Sequence, residues 1–140
     1  MANIELAIAE NAQMAAKDFQ WATEVPLDFT AASMQGVEEV LDSAHKGRVN
    51  EQTQMEMINL LGSYVLHTAK LLHGGVFQMY QERPQPLLVT GLPNYSVAML
   101  AMDKVAGRIK GDEGDNIPFF YDGFVRALER ATPGSKALIA

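Results

Sequence analysis

A chain of 140 residues is sized for one domain, 1–140, large enough to bury about two-thirds of the surface that its unfolded form exposes. Cysteine is absent, which excludes disulfides, zinc–thiolate sites, iron–sulfur centres and thiol nucleophiles and fits a reducing, cytoplasmic setting. Seventeen acidic against eleven basic side chains give a formal charge of −6, and with the basic residues scattered along the sequence this excludes phosphate backbones and anionic lipids as natural partners while favouring a basic protein.

No apolar run approaches membrane-spanning length, and Glu5 and Glu10 stand among alanines where a secretion signal needs a basic start and an apolar block. Ile4, Ile8, Ala12, Ala15, Phe19 and Ala22 mark a first helix with a narrow face that lets another helix come close. Trp21 reads as core or hinge packing, with an interface anchor as the alternative. Val25 to Phe29 must be extended, because the residue before Pro26 is pushed out of the helical region.

Thr30 reads as an N-cap with Phe29 stapled against Met34, opening a second helix whose stripe is Met34, Val37, Val40, Leu41 and Ala44. Glu38, Asp42 and His45 share one arc of it. Three ligands from a single helix rarely close a metal site, so the arc reads as a solvated flank with His45 favoured by the helix dipole.

A central helix follows over about 51–73, capped by Asn50, with Met57, Ile58, Leu60, Leu61, Tyr64, Val65, Thr68, Leu71 and Leu72 as its apolar stripe. Gly62 inside it implies close helix contact, since glycine there costs about 1 kcal/mol relative to alanine. His67 and His73, six residues apart, point in different directions and cannot chelate together. Gly74 and Gly75 stop the helix, and two strands at about 76–80 and 87–90 form an antiparallel hairpin around a polar, proline-bearing loop. A third strand would come from Val25–Phe29 or from the tail Lys136–Ile139.

Beyond the turn Gly91 to Asn94, the apolar positions Tyr95, Ala98, Met99, Met102, Val105, Ala106 and Ile109 predict one helix running to Lys110, with Lys104 and Arg108 facing outward. The acidic run Asp112 to Asn116 lacks the alternate-position carboxylates and distal glutamate of a calcium loop and reads as a cap for a last helix with Pro118 in its first turn. The eight methionines read as adaptable core filler. The fold class expected is α+β, about five helices around a central one with a small hairpin.

No phosphate loop, dinucleotide fingerprint, nucleophile elbow or two-histidine metal helix can be quoted, so no catalytic residue, cofactor or metal is expected and the reading is binding rather than catalysis. Leu27-Asp28-Phe29 before a capped helix, Leu61-Gly62-Ser63-Tyr64, Gly74-Gly75-Val76-Phe77, Lys104-Val105 with Arg108 and Gly111, and Asp115-Asn116-Ile117 with Phe120-Tyr121 resemble a loose group of small bacterial proteins of unknown function. The chain departs from that group at Val65-Leu66-His67, where an acidic residue is typical, and at Phe77, where tryptophan is usual. The resemblance implies a compact α+β binding protein, and some proteins of this kind are immunity partners of antibacterial toxins.

Two expectations follow. One is a cytoplasmic, immunity-type inhibitor that covers a basic toxin domain through Glu82, Arg83, Asp112, Glu113 and Asp115. The other is a small-molecule-binding or enzymatic domain with a pocket between hairpin and helices where Tyr64, His67, Tyr80 and Tyr121 converge. A homodimer pairing sheet edges is compatible with both.

Overall fold

In the computed structural model, which describes residues 3–140, the chain is α+β: five α-helices and a four-stranded mixed sheet among the described residues. Helix α1 spans Ile4–Phe19, α2 Met34–Lys46 and α3 Glu51–His73; strands β1 (Val76–Tyr80), β2 (Gln85–Thr90) and β3 (Ser96–Met99) follow, then α4 (Ala101–Ile109), α5 (Ile117–Arg130) and β4 (Lys136–Ile139).

Helix α3 is the axis. Asn50 accepts a hydrogen bond from Thr53 N at 2.8 Å to start it, and Gly74, at φ 77°, ends it. Its middle is buried from Leu61 to Leu66, with α1 against it through Ile8, Ala12 and Ala15. Small side chains on α1 let the two backbones approach. On the other side α4 comes close at Gly62, where a Cβ would collide with Met102 Sδ, so the expected close contact is found. The apolar stripe overruns the core: Leu71 and Leu72, expected inside, are exposed on the last turn.

Strand order is β1-β2-β3-β4, with the first three antiparallel and β4 parallel to β3. The hairpin stands where expected, and the tail, not Val25–Phe29, supplies an added strand. Pro86 is tolerated in β2 because pairing with β3 starts only at Leu88, leaving that end of the strand with one neighbour. Phe77, Leu88, Val97, Met99, Ala137 and Ile139 face the main core, while Leu87, Val89 and Leu100 form a smaller cluster with Tyr80 and Ala98.

The single helix expected beyond Asn94, with Tyr95 in its stripe and its end at Lys110, is a strand followed by a helix. Over Ser96–Met99 burial alternates, with Val97 and Met99 inside and Ser96 and Ala98 half-buried, which is the period of a strand. Helical and strand periods coincide over so short an apolar run, and pairing with β2 and β4 decides it. Tyr95 thus lies in the preceding turn, half-buried.

Candidate functional site

Helix α2 carries Glu38 and Asp42 one turn apart, and α4 presents Arg108 to both. Arg108 Nε donates to Glu38 Oε2 at 2.6 Å and Nη2 donates to Asp42 Oδ1 at 2.9 Å, while Glu38 Oε1 accepts from Ile117 N at 3.1 Å. One guanidinium therefore joins α2 to α4, and one carboxylate also caps α5. Hydrogen bonds from Lys46 and Arg108 hold the Asp42 carboxyl below its usual range; burial opposes the charge on Arg108, and Glu38 and Asp42 outweigh it and raise its pKa. Of the arc expected to be a solvated flank, Glu38 and Asp42 thus form an internal brace while His45 is exposed, and Arg108, expected to face outward, is 6 % exposed. Lys104 is likewise turned inward, paired with Asp115 at 2.8 Å.

Below this brace the C-terminal ends of α2 and α4 meet the start of α3 around a cleft of about 520 Å³. His45 Nδ1–H donates to the Ile109 carbonyl at 3.2 Å, tying the two helix ends together. Lys46, Arg48 and Lys110 line the cleft with it. The sequence scatters these cations and the fold gathers them. Lys46 is neutralised by Asp42 at 2.8 Å, whereas neither Arg48 nor Lys110 has a carboxylate within ion-pair reach among the described residues.

A second feature is the solvent side of α1. Leu6 and Met14 are 53 % and 49 % exposed, and Trp21, in the 3-10 turn Gln20–Ala22 that follows, is 82 % exposed, against the expectation of core packing. Glu39 on α2 fixes the segment after that turn by accepting from Glu24 N at 2.8 Å and Val25 N at 3.4 Å. Asp18 and Glu24 flank Trp21, exposed and without an ion-pair partner among the described residues. The expectation failed because Trp21 lies one step past the last buried turn of α1, where a single large apolar residue carries no periodicity of its own.

The residues proposed from sequence fall in several places. Glu82, Asp112 and Glu113 are exposed. Asp112 also caps the 3-10 turn Glu113–Asp115 through Gly114 N at 2.9 Å. Arg83 and Asp115 are spent inside the chain: Arg83 donates to Asp103 at 2.6 Å and lies over the Tyr80 ring at 5.5 Å, and Asp115 holds Lys104.

The four aromatic and histidine side chains divide among three clusters. Tyr64 and His67 pack on Phe29, with centroid distances of 5.0 and 5.7 Å respectively. Tyr64 Oη donates to Ser33 Oγ at 2.7 Å and accepts from Phe29 N at 2.8 Å, so it holds Phe29 at φ 63°. Tyr80 belongs with Arg83 at the hairpin tip. Tyr121 packs with His73 and Phe124, its pKa pushed up to about 12 by burial and its hydroxyl without a hydrogen-bond partner. A cleft of about 350 Å³ does lie between the hairpin and the helices, lined by Met55, Ile58, Asn59, Pro84, Gln85, Pro86 and Met102. Those residues carry no motif.

Among the described residues no helix is long and apolar enough to cross a membrane. The class that fold and site define is an α+β protein with an internal ion-pair brace, an exposed tryptophan between carboxylates and a cationic cleft. Comparison with protein-family models, with curated proteins and with solved structures finds no match. The functional reading therefore rests on this chain's own geometry.

Proposed function

We propose that this chain is a protein-binding module for a basic partner, in its most concrete form an immunity-type inhibitor that neutralises a bacterial toxin by covering its surface. The observation that carries the reading is Trp21, 82 % exposed and flanked by the free carboxylates of Asp18 and Glu24. A folded chain gains nothing by holding an indole in water, whereas partners use such a residue as an anchor with a charged rim around it. Leu6 and Met14 extend the apolar surface along α1. The excess of acid over base steers a cationic partner to it. Glu82, Asp112 and Glu113 remain exposed acids available to a large partner; Arg83 and Asp115 are already engaged.

The test is co-purification with the product of the adjacent gene, since inhibitor and toxin functions are encoded together. Wild type is expected to retain a basic protein stoichiometrically, and Trp21→Ala to lose it while melting at the same temperature. Absence of any stoichiometric basic partner, or equal retention by Trp21→Ala, would refute the reading.

A further inference from the structure

The cationic cleft does not end where α2 and α4 meet. It shares Gln54 and Lys110 with a second cleft of about 480 Å³, and that one shares Met55 and Ile58 with the 350 Å³ cleft at the hairpin. The three clefts therefore adjoin in series as one groove face along α3 and α4, with cations at one end and apolar side chains at the other. Met102 lies at the apolar end and Lys110 where the cationic cleft meets the next, separated along the α4 axis by roughly 12 Å at ~1.5 Å per residue.

We propose that this groove binds a free anionic amphiphile, a straight-chain carboxylate of roughly ten carbons, the length that spans about 12 Å. The carboxylate lies between Arg48 and Lys110, and the chain lies over Met55, Ile58 and Met102. Arg48 and Lys110 are cations without ion-pair partners among the described residues of an acidic chain, and the planar fork of arginine matches a carboxylate in two parallel hydrogen bonds. Arg48 also takes the left-handed turn, φ 53°, that glycine fills at least cost, while the neighbouring Gly47 stays right-handed at φ −79°. Glu51, the first residue of α3, lines the groove beside Lys110 at the cationic end, so Arg48 and Lys110 must outweigh it there. Methionine side chains adapt to an unbranched chain without fixed shape. A bilayer is the wrong source of such a ligand, because its anionic surface repels a chain of charge −6. This inference is independent of the protein-docking surface on α1.

Decanoate, kept below the concentration at which it forms micelles, is the probe, titrated calorimetrically and by methyl NMR. It is expected to saturate one site and to shift the methyl signals of Met55, Ile58 and Met102, with acetate and decanol each binding at least about tenfold more weakly. The double variant Arg48→Gln/Lys110→Gln is expected to lose at least about tenfold in decanoate affinity with its melting temperature unchanged, since neither side chain is engaged in the fold. Decanol binding as well as decanoate, indifference of the double variant, or shifts scattered away from the groove would overturn the proposal. Tighter binding of decyl phosphate would overturn the carboxylate assignment, and cosedimentation with anionic vesicles the assignment to a free molecule.

Discussion

Arg108 illustrates what a single residue does here. It is shut away from water between two carboxylates of α2, and Glu38 in turn receives the first backbone N–H of α5. Removing the cation leaves Glu38 buried and charged with only the Ile117 N–H to compensate it. Arg108→Met is therefore expected to cost about 3–5 kcal/mol in urea denaturation, and adding Glu38→Gln to recover part of that loss by discharging the stranded group. The pair was not legible in the sequence, because its members are 70 residues apart and a charged residue one turn from another looks like solvated surface. A second residue-scale prediction concerns the imidazoles. Burial holds His67 and His73 below the ordinary histidine value; Glu5 pulls His67 back up and Lys70 pushes it down. The unfolded chain then binds more protons than the folded one just below pH ~6.5, so stability rises with pH through that window and falls as the solution is acidified. Melting temperature is expected to drop between about pH 7.5 and 5.5, before carboxylates titrate, and His67→Gln/His73→Gln to flatten the drop.

Two helical glycines separate the elements that are held by backbone from those held by side chains. At Gly36 on α2 a Cβ would sit 2.5 Å from the Val25 carbonyl oxygen and 2.9 Å from Leu27 Cδ2, so the segment after Trp21 lies directly on the helix. At Gly62 on α3 the obstacle is the flexible end of Met102. Gly36→Ala is expected to destabilise by about 1–3 kcal/mol, whereas Gly62→Ala is expected to come out near neutral, the displaced sulfur offset by about 1 kcal/mol of helix propensity. Urea midpoints of the two variants give the comparison. Of these contacts the sequence foretold only the one at Gly62, where a glycine inside a long apolar helix signals close approach. Helices α1, α2, α3 and α5 were legible because each repeats its apolar positions over several turns. Strand β3 was not, since its four residues satisfy either period and only pairing with two other strands decides between them.

For the molecule as a whole, the charge balance alone says little; what matters is which charges the fold leaves free. Among the described residues, pairing consumes Glu5, Glu38, Asp42, Asp103, Asp115 and Asp122 and, with them, Lys46, Lys70, Arg83, Lys104, Arg108 and Arg126. The exposed acids that remain include Asp18 and Glu24, three residues to either side of Trp21, with the exposed and unpaired Lys17 one turn before it; on the proposed reading the anchor and the carboxylates that steer a cationic partner thus lie close together. In the proposed complex these two parts would act at different stages of association. Free carboxylates accelerate encounter with a cationic partner and are screened within about 8 Å at physiological ionic strength, whereas a desolvated indole acts after contact and governs escape. Asp18→Asn/Glu24→Gln is therefore expected to slow association and to weaken its dependence on salt while leaving dissociation nearly unchanged. Trp21→Ala is expected to speed dissociation at least about tenfold and to leave the salt dependence of association intact. Surface-immobilised kinetics with the adjacent gene product, run from about 0.02 to 0.5 M salt, separate the two. If neutralising the carboxylates changed only dissociation, or if salt left the wild-type association rate unmoved, the acidic side of α1 would not be the surface that meets the partner.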